Sequence, residues 1–140
     1  MHRWIWLTGL ALVALVTGFV TPAQADKKPV KLTKEWKGSI PDEALQKKAS
    51  EVITTAKALE ELWKAWQITE KMPEVDFTKE LVIVATSVGS KLNMSAVLDD
   101  TKGDLMVLGM GTRDIAPGFR YVIGTIPREG VKTVNGKQLP

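Results

Sequence analysis

The chain contains no cysteine and a single histidine, His2. Without cysteine there is no disulfide, no thiolate nucleophile and no thiolate metal ligand. His2 falls in an N-terminal stretch that reads as a leader, so the remaining chain lacks imidazole as well. That removes Ser-His-Asp and Cys-His nucleophile systems, the usual zinc ligand sets, haem held by an axial histidine, and the ordinary general base near neutral pH. Carboxylates, lysines, hydroxyls and the one tyrosine, Tyr121, are left for chemistry, and no cofactor or metal is expected. Arginine is scarce too: beyond Arg3 the sequence holds only Arg113, Arg120 and Arg128. The lysines are spread from Lys27 to Lys137 among acidic residues. With no dense basic block, a nucleic-acid footprint is not expected. Internal repeats and low-complexity segments are absent from the sequence.

What is present begins with "MHRWIWLTGLALVALVTGFVTPAQA". A short basic start (His2, Arg3), an apolar run from Trp4 to Val20 and the small-residue exit Ala23-Gln24-Ala25 form the pattern of a signal peptide, with cleavage after Ala25. The competing reading is a retained membrane anchor. The apolar run is broken by Thr8, Gly9, Thr17 and Gly18, and is shorter than the ~20 residues a spanning helix needs. The expectation is therefore a periplasmic or secreted protein, with no membrane contact after cleavage. Removing the leader takes away only Arg3, which lowers the net charge from +3 to +2. A small exported domain without disulfides has to rely on its packed core.

The stretch from residue 26 to 50 reads as an N-terminal lead, and 51–140 as one α+β domain. "DKKPVKLTK" is polar and expected to be loose. A short strand is expected around Trp36, ending at Gly38. The pair Ser39 and Asp42, with Pro41 between them, suggests a capping box opening a short helix or helical turn over Pro41–Lys48. Glu51 to Thr54 reads as a brief strand. Thr54 or Thr55 then caps a helix to about Gln67, whose Leu59, Leu62, Trp63 and Trp66 share one face. Strands follow in "LVIVATS", an apolar run buried on both faces, then in "LNMSAVLD", "DLMVLGM" and "FRYVIGTIP". The segment "VKTVNGKQL" carries a hairpin turn at Asn135-Gly136. Short connections imply antiparallel neighbours. The expected fold is thus α+β, with about five strands in a single twisted, potentially barrel-like antiparallel sheet and one amphipathic helix packed on it.

Four places invite a functional reading. Asp99, Asp100 and Asp104 around Gly103 could hold calcium, but the spacing is not that of an EF-hand and an Asp/Gly turn explains it. Ser87, Ser90 and Lys91 beside Gly89 could form a Ser-Lys dyad, against the plainer reading of a glycine-containing loop with an exposed lysine. Trp63 and Trp66 could form a carbohydrate platform, but their helical spacing with Leu59 and Leu62 points to core packing. The last is "GTRDIAPGFRY", Gly111 to Tyr121. Pro117-Gly118 is a turn, and Phe119 and Tyr121 alternate into the core. Arg113 and Arg120 remain as candidate binding groups, because guanidinium recognises carboxylates and stacks on aromatic rings. With Lys91 and Asn93 they are the binding residues the sequence nominates, on the expected sheet-end loops Gly89 to Asn93 and Thr112 to Arg120.

"ALEELWKAW", "PEVDFTKELVIVATSVG" and "PGFRYVIGTIPR" taken together resemble the PrcB C-terminal-domain family of protease-complex subunits. They also resemble small exported bacterial proteins of the planctomycete type that have no assigned function. The likeness spans roughly residues 51 to 128. The family's glycine loop tends to carry a second glycine and an aromatic residue, which "GSKLNMS" lacks. The resemblance implies an exported accessory or binding domain and supplies no catalytic residue. The expected function is accordingly non-enzymatic contact with a protein or peptide in the cell envelope. The alternatives are an envelope hydrolase using Ser/Lys or carboxylate groups, and a β-scaffold protease inhibitor.

Overall fold

A computed structural model describes residues 27–140; the expected signal peptide and its cleavage after Ala25 lie outside the described residues. The strands are β1 (Lys27–Val30), β2 (Lys34–Ile40), β3 (Val52–Ile53), β4 (Glu80–Ser87), β5 (Leu92–Asp99), β6 (Asp104–Gly111), β7 (Phe119–Pro127), β8 (Thr133–Val134) and β9 (Lys137–Gln138). A 3-10 segment covers Glu43–Lys48, and helix α1 covers Ala56–Ala65.

The α+β class holds, but the single sheet does not. The strands form two sheets, one of five strands in the order β1-β5-β6-β8-β9 and one of four in the order β2-β7-β4-β3, and neither closes into a barrel. Short loops join strands of stacked sheets as readily as neighbours in one sheet. Residues 88–91 and 112–118 do this, carrying the chain from β4 to β5 and from β6 to β7 across the stack. Strands consecutive in the chain pair only as β3–β4, β5–β6 and β8–β9, and β6 meets β8 in parallel.

The four-stranded sheet is the middle layer, which is why β4 and β7 read as continuous apolar runs. Val82, Val84, Phe119, Tyr121 and Ile123 face α1, while Leu81, Ile83, Val122 and Ile126 face the five-stranded sheet. Thr125 is fully buried, and its hydroxyl oxygen accepts from the Lys34 N–H at 3.1 Å.

Helix α1 sits where its periodicity placed it. The Thr55 hydroxyl accepts from the Ala58 N–H at 3.2 Å, and the chain leaves the helix through Gln67 at φ 50°. Trp63 and Trp66 are core residues whose indole N–H groups donate to Glu70 O at 2.8 Å and Leu45 O at 3.0 Å. The Trp66 ring lies 5.2 Å from those of both Phe119 and Tyr121. Burial raises the Tyr121 phenol above its ordinary pKa, with Glu70 adding to the shift. Trp36, whose side no pattern fixed, points to the helix and meets Trp63 edge-on at 6.3 Å.

Two further expectations are corrected. The polar stretch after residue 26 is not loose: β1 pairs with β5 and β2 with β7, so the lead supplies an edge strand to each sheet. Lysines and Pro29 disguised β1, yet these are residues that an exposed edge tolerates. Ser39 is no helix cap, because it lies inside β2. Asp42 caps the 3-10 segment instead, accepting from the Ala44 N–H at 3.0 Å.

Candidate functional site

Residues 88–91 and 112–118 are neighbours at one end of the sandwich, so the structure brings together the two loops the sequence nominated. A hub around Asp114 ties them. Its carboxylate accepts from the Ser90 N–H at 3.1 Å and from the Thr112 hydroxyl. The Thr112 hydroxyl oxygen in turn accepts from the Lys91 N–H at 3.1 Å, and Ala116 N–H donates to Val88 O at 3.0 Å. Gly89 packs so closely on Thr112 that a Cβ there would collide with the Thr112 backbone.

These hydrogen bonds hold the Asp114 carboxyl well below the usual range, at about 2, with the Ser90 and Thr112 hydroxyls as the leading causes. A pKa lower in the folded than in the unfolded chain gives a contribution that is complete above the unfolded value, 3.8, and lost as pH falls through about 2. The Ser90 amide resonance should therefore titrate with a midpoint near 2, and Asp114→Asn should abolish that titration. A midpoint near 3.8 would show that the hub does not form in solution.

The four nominated residues differ in what they do. Arg113 is exposed on the loop surface. Arg120 is half-buried and turned onto its own loop, where it donates from Nη2 to Pro117 O at 2.7 Å and its Nε is buried without a partner. Asn93 accepts from Lys37 Nζ at 3.1 Å, at the end of β5 that β1 leaves uncovered. Lys91 is exposed, and the hydroxyls nearest it in sequence are engaged elsewhere: Ser87 accepts from the Gly89 N–H, and Ser90 bonds Thr112. The aspartates around Gly103 are likewise used internally. Asp99 accepts from Thr101 and Lys102, Asp100 pairs with Lys28 at 2.6 Å, and Asp104 accepts from Thr133 and Gly136.

The residues that sequence reasoning passed over lie on β6. The large hydrophobics exposed among the described residues are Val88, Met106, Leu108, Met110 and Ile115. All five belong to β6 or to the two loops just described. Met106, Leu108 and Met110 occupy the outer face of the five-stranded sheet, where Met110 is 60 % and Leu108 45 % exposed. The opposite face of the strand carries Leu105, Val107 and Gly109, and Gly109 lies against Ala85 of β4, where a Cβ would come within 3.2 Å. No family model matches the chain, nor does any curated protein or solved structure.

Methionine supplies a polarisable, adaptable surface, and the polar loop groups border it at the Gly111 end. A signal was available in the sequence. Met106, Leu108 and Met110 alternate with a column that shrinks to glycine at 109 and 111, and a strand cannot bury its large residues on the side away from its packing partner.

Proposed function

We propose that this protein is an exported, non-enzymatic accessory domain that contacts a protein or peptide in the cell envelope. Its contact surface is the outer face of β6 together with the loops 88–91 and 112–118. One observation carries the reading: every large hydrophobic exposed among the described residues gathers there, whereas surface hydrophobics of no consequence are scattered singly. The likeness to protease-complex subunits, and a sequence inventory without cysteine or a retained histidine, support an accessory role.

The test is recovery of envelope proteins on the immobilised domain. Leu108→Lys and Met110→Lys place charge on exposed positions and should leave stability within ~0.5 kcal/mol. The double variant is expected to lose the proteins that the wild type retains, while Arg113→Ala reports on the loop rim alone. Recovery of the same set by the wild type and the double variant would remove β6 from the contact surface.

A further inference from the structure

The outer edge of β6 is a vacant strand position. β8 fills that position only opposite Asp104 and Leu105, where it pairs in parallel, and the chain then turns away at Asn135-Gly136. Asn135 takes over for one more residue: its backbone N–H donates to Leu105 O at 2.8 Å and its side-chain Oδ1 accepts from the Val107 N–H at 2.8 Å. Past Val107 no described strand pairs with this edge, so the backbone groups of Gly109 and Gly111 that point away from β5 face an open slot.

Other strand ends are guarded against stray pairing. β1 carries Lys27, Lys28 and Pro29, Lys37 reaches over the uncovered end of β5, β9 carries Lys137, and β3 is two residues long. Such devices protect exposed edges in soluble proteins. From Met106 to Gly111 there is no charge and no proline. Beside this stretch lies a groove of about 370 Å³ lined by Gln46, Ser50, Glu51, Thr86, Gly109 and Asn135, among others.

We propose that this slot receives an extended peptide segment of a partner protein, which joins the five-stranded sheet along Val107–Gly111. The proposal rests on the binding reading above and specifies its mode. A strand in the slot continues the track that β8 begins. Its outward side chains lie beside Leu108 and Met110 and are apolar. Its inward side chains descend onto Gln46, Ser50, Glu51 and Thr86 and are small and polar. Alternation of that kind is how strand addition combines main-chain affinity with side-chain selection.

A second copy of this chain does not fit. In each copy β6 rests directly on β4, with Gly109 against Ala85 and Gly111 against Ser87. A second β6 in the slot would bring its own β4 beneath it, into space that Ala49, Ser50 and Glu51 already occupy. The occupant therefore has no second layer of its own.

The probe is a synthetic peptide of about ten residues, the length of a long strand, alternating valine with threonine and flanked by lysine for solubility. With the peptide bound, amide exchange at Gly109 and Gly111 should slow by about tenfold or more, while exchange at Val107, already bonded to Asn135, changes little. The same peptide N-methylated on the edge facing β6 should bind at least about tenfold more weakly, a loss of roughly 1.4 kcal/mol. Equal binding of the two peptides, no binding by about 1 mM, or protection confined to other residues overturns the proposal. Protection of Gly109 and Gly111 that grows with protein concentration and needs no peptide would put a second copy in the slot, and overturns it too. The two readings fail separately. If the Leu108→Lys and Met110→Lys double variant loses envelope-protein recovery but the peptide leaves Gly109 and Gly111 unprotected, only strand addition falls. If recovery is unchanged, β6 drops out of the contact surface in the binding reading, whatever the peptide does.

Discussion

Trp66→Ala is expected to lower the free energy of unfolding by ~3–5 kcal/mol, a large part of the ~5–15 kcal/mol that a domain of this size possesses. Trp66 is 2 % exposed and stands where three elements meet. Its ring packs against Phe119 and Tyr121 of β7, and its indole N–H donates to Leu45 O in the 3-10 segment. Truncation leaves a cavity between α1 and the middle sheet and strips the Leu45 carbonyl of its donor. Urea denaturation, followed by far-UV circular dichroism, measures the loss. Trp66→Phe separates the two contributions, because it keeps much of the ring and costs only ~1–3 kcal/mol for the unmade hydrogen bond and the smaller volume. A change below ~1 kcal/mol for the alanine variant would contradict the packing of α1 on β7.

Gly118→Ala is the second large effect, with an expected loss of ~3 kcal/mol or more. Gly118 has φ +70°, a left-handed conformation that already penalises a side chain. A Cβ there would also run into Ile40 O and come within 2.8 Å of the Pro41 Cα. Both are backbone atoms at the end of β2 and neither can swing aside. The melting temperature should drop by roughly ten degrees or more. Gly136→Ala provides the comparison: φ is +77°, but nothing lies within 4 Å, so only the conformational penalty of ~1 kcal/mol applies. Equal losses at the two positions would show that the 112–118 loop does not press on β2 as described.

Much of the strand and helix layout was legible because it follows from local chemistry. "LNMSAVLD" and "FRYVIGTIP" coincide with β5 and β7, Asn135-Gly136 makes the β8–β9 turn, and the Leu/Trp stripe faces the core. The assembly of those elements was not legible. Whether a four-residue loop makes a hairpin or folds one sheet over another depends on which faces are apolar in three dimensions, and "SVGSK" looks the same in either case. The N-terminal lead failed for a related reason. β1 is an edge strand, so its sequence reports protection from other chains more than membership of a sheet.

The two nominated loops lie together, with Gly89 against Thr112 and Ser90 against Asp114. Arg120, however, was read by its side-chain type, whereas its guanidinium serves its own loop. The β6 strip escaped notice because its outward column is as apolar as a core column. The one cue to the packed side is the glycine pair at 109 and 111, which lies against β4.

The order of strands also governs when the protein can exist. β2 pairs with β7 along its whole length, joining Lys34 to Thr125, and the five-stranded sheet takes β1 from the start of the described chain and β9 from its end. Neither sheet can be completed by an early part of the chain alone, so ordering entropy is lost before the distant pairings offset it. A chain wired this way has its last strands as a condition of both sheets, so its native pairings come late.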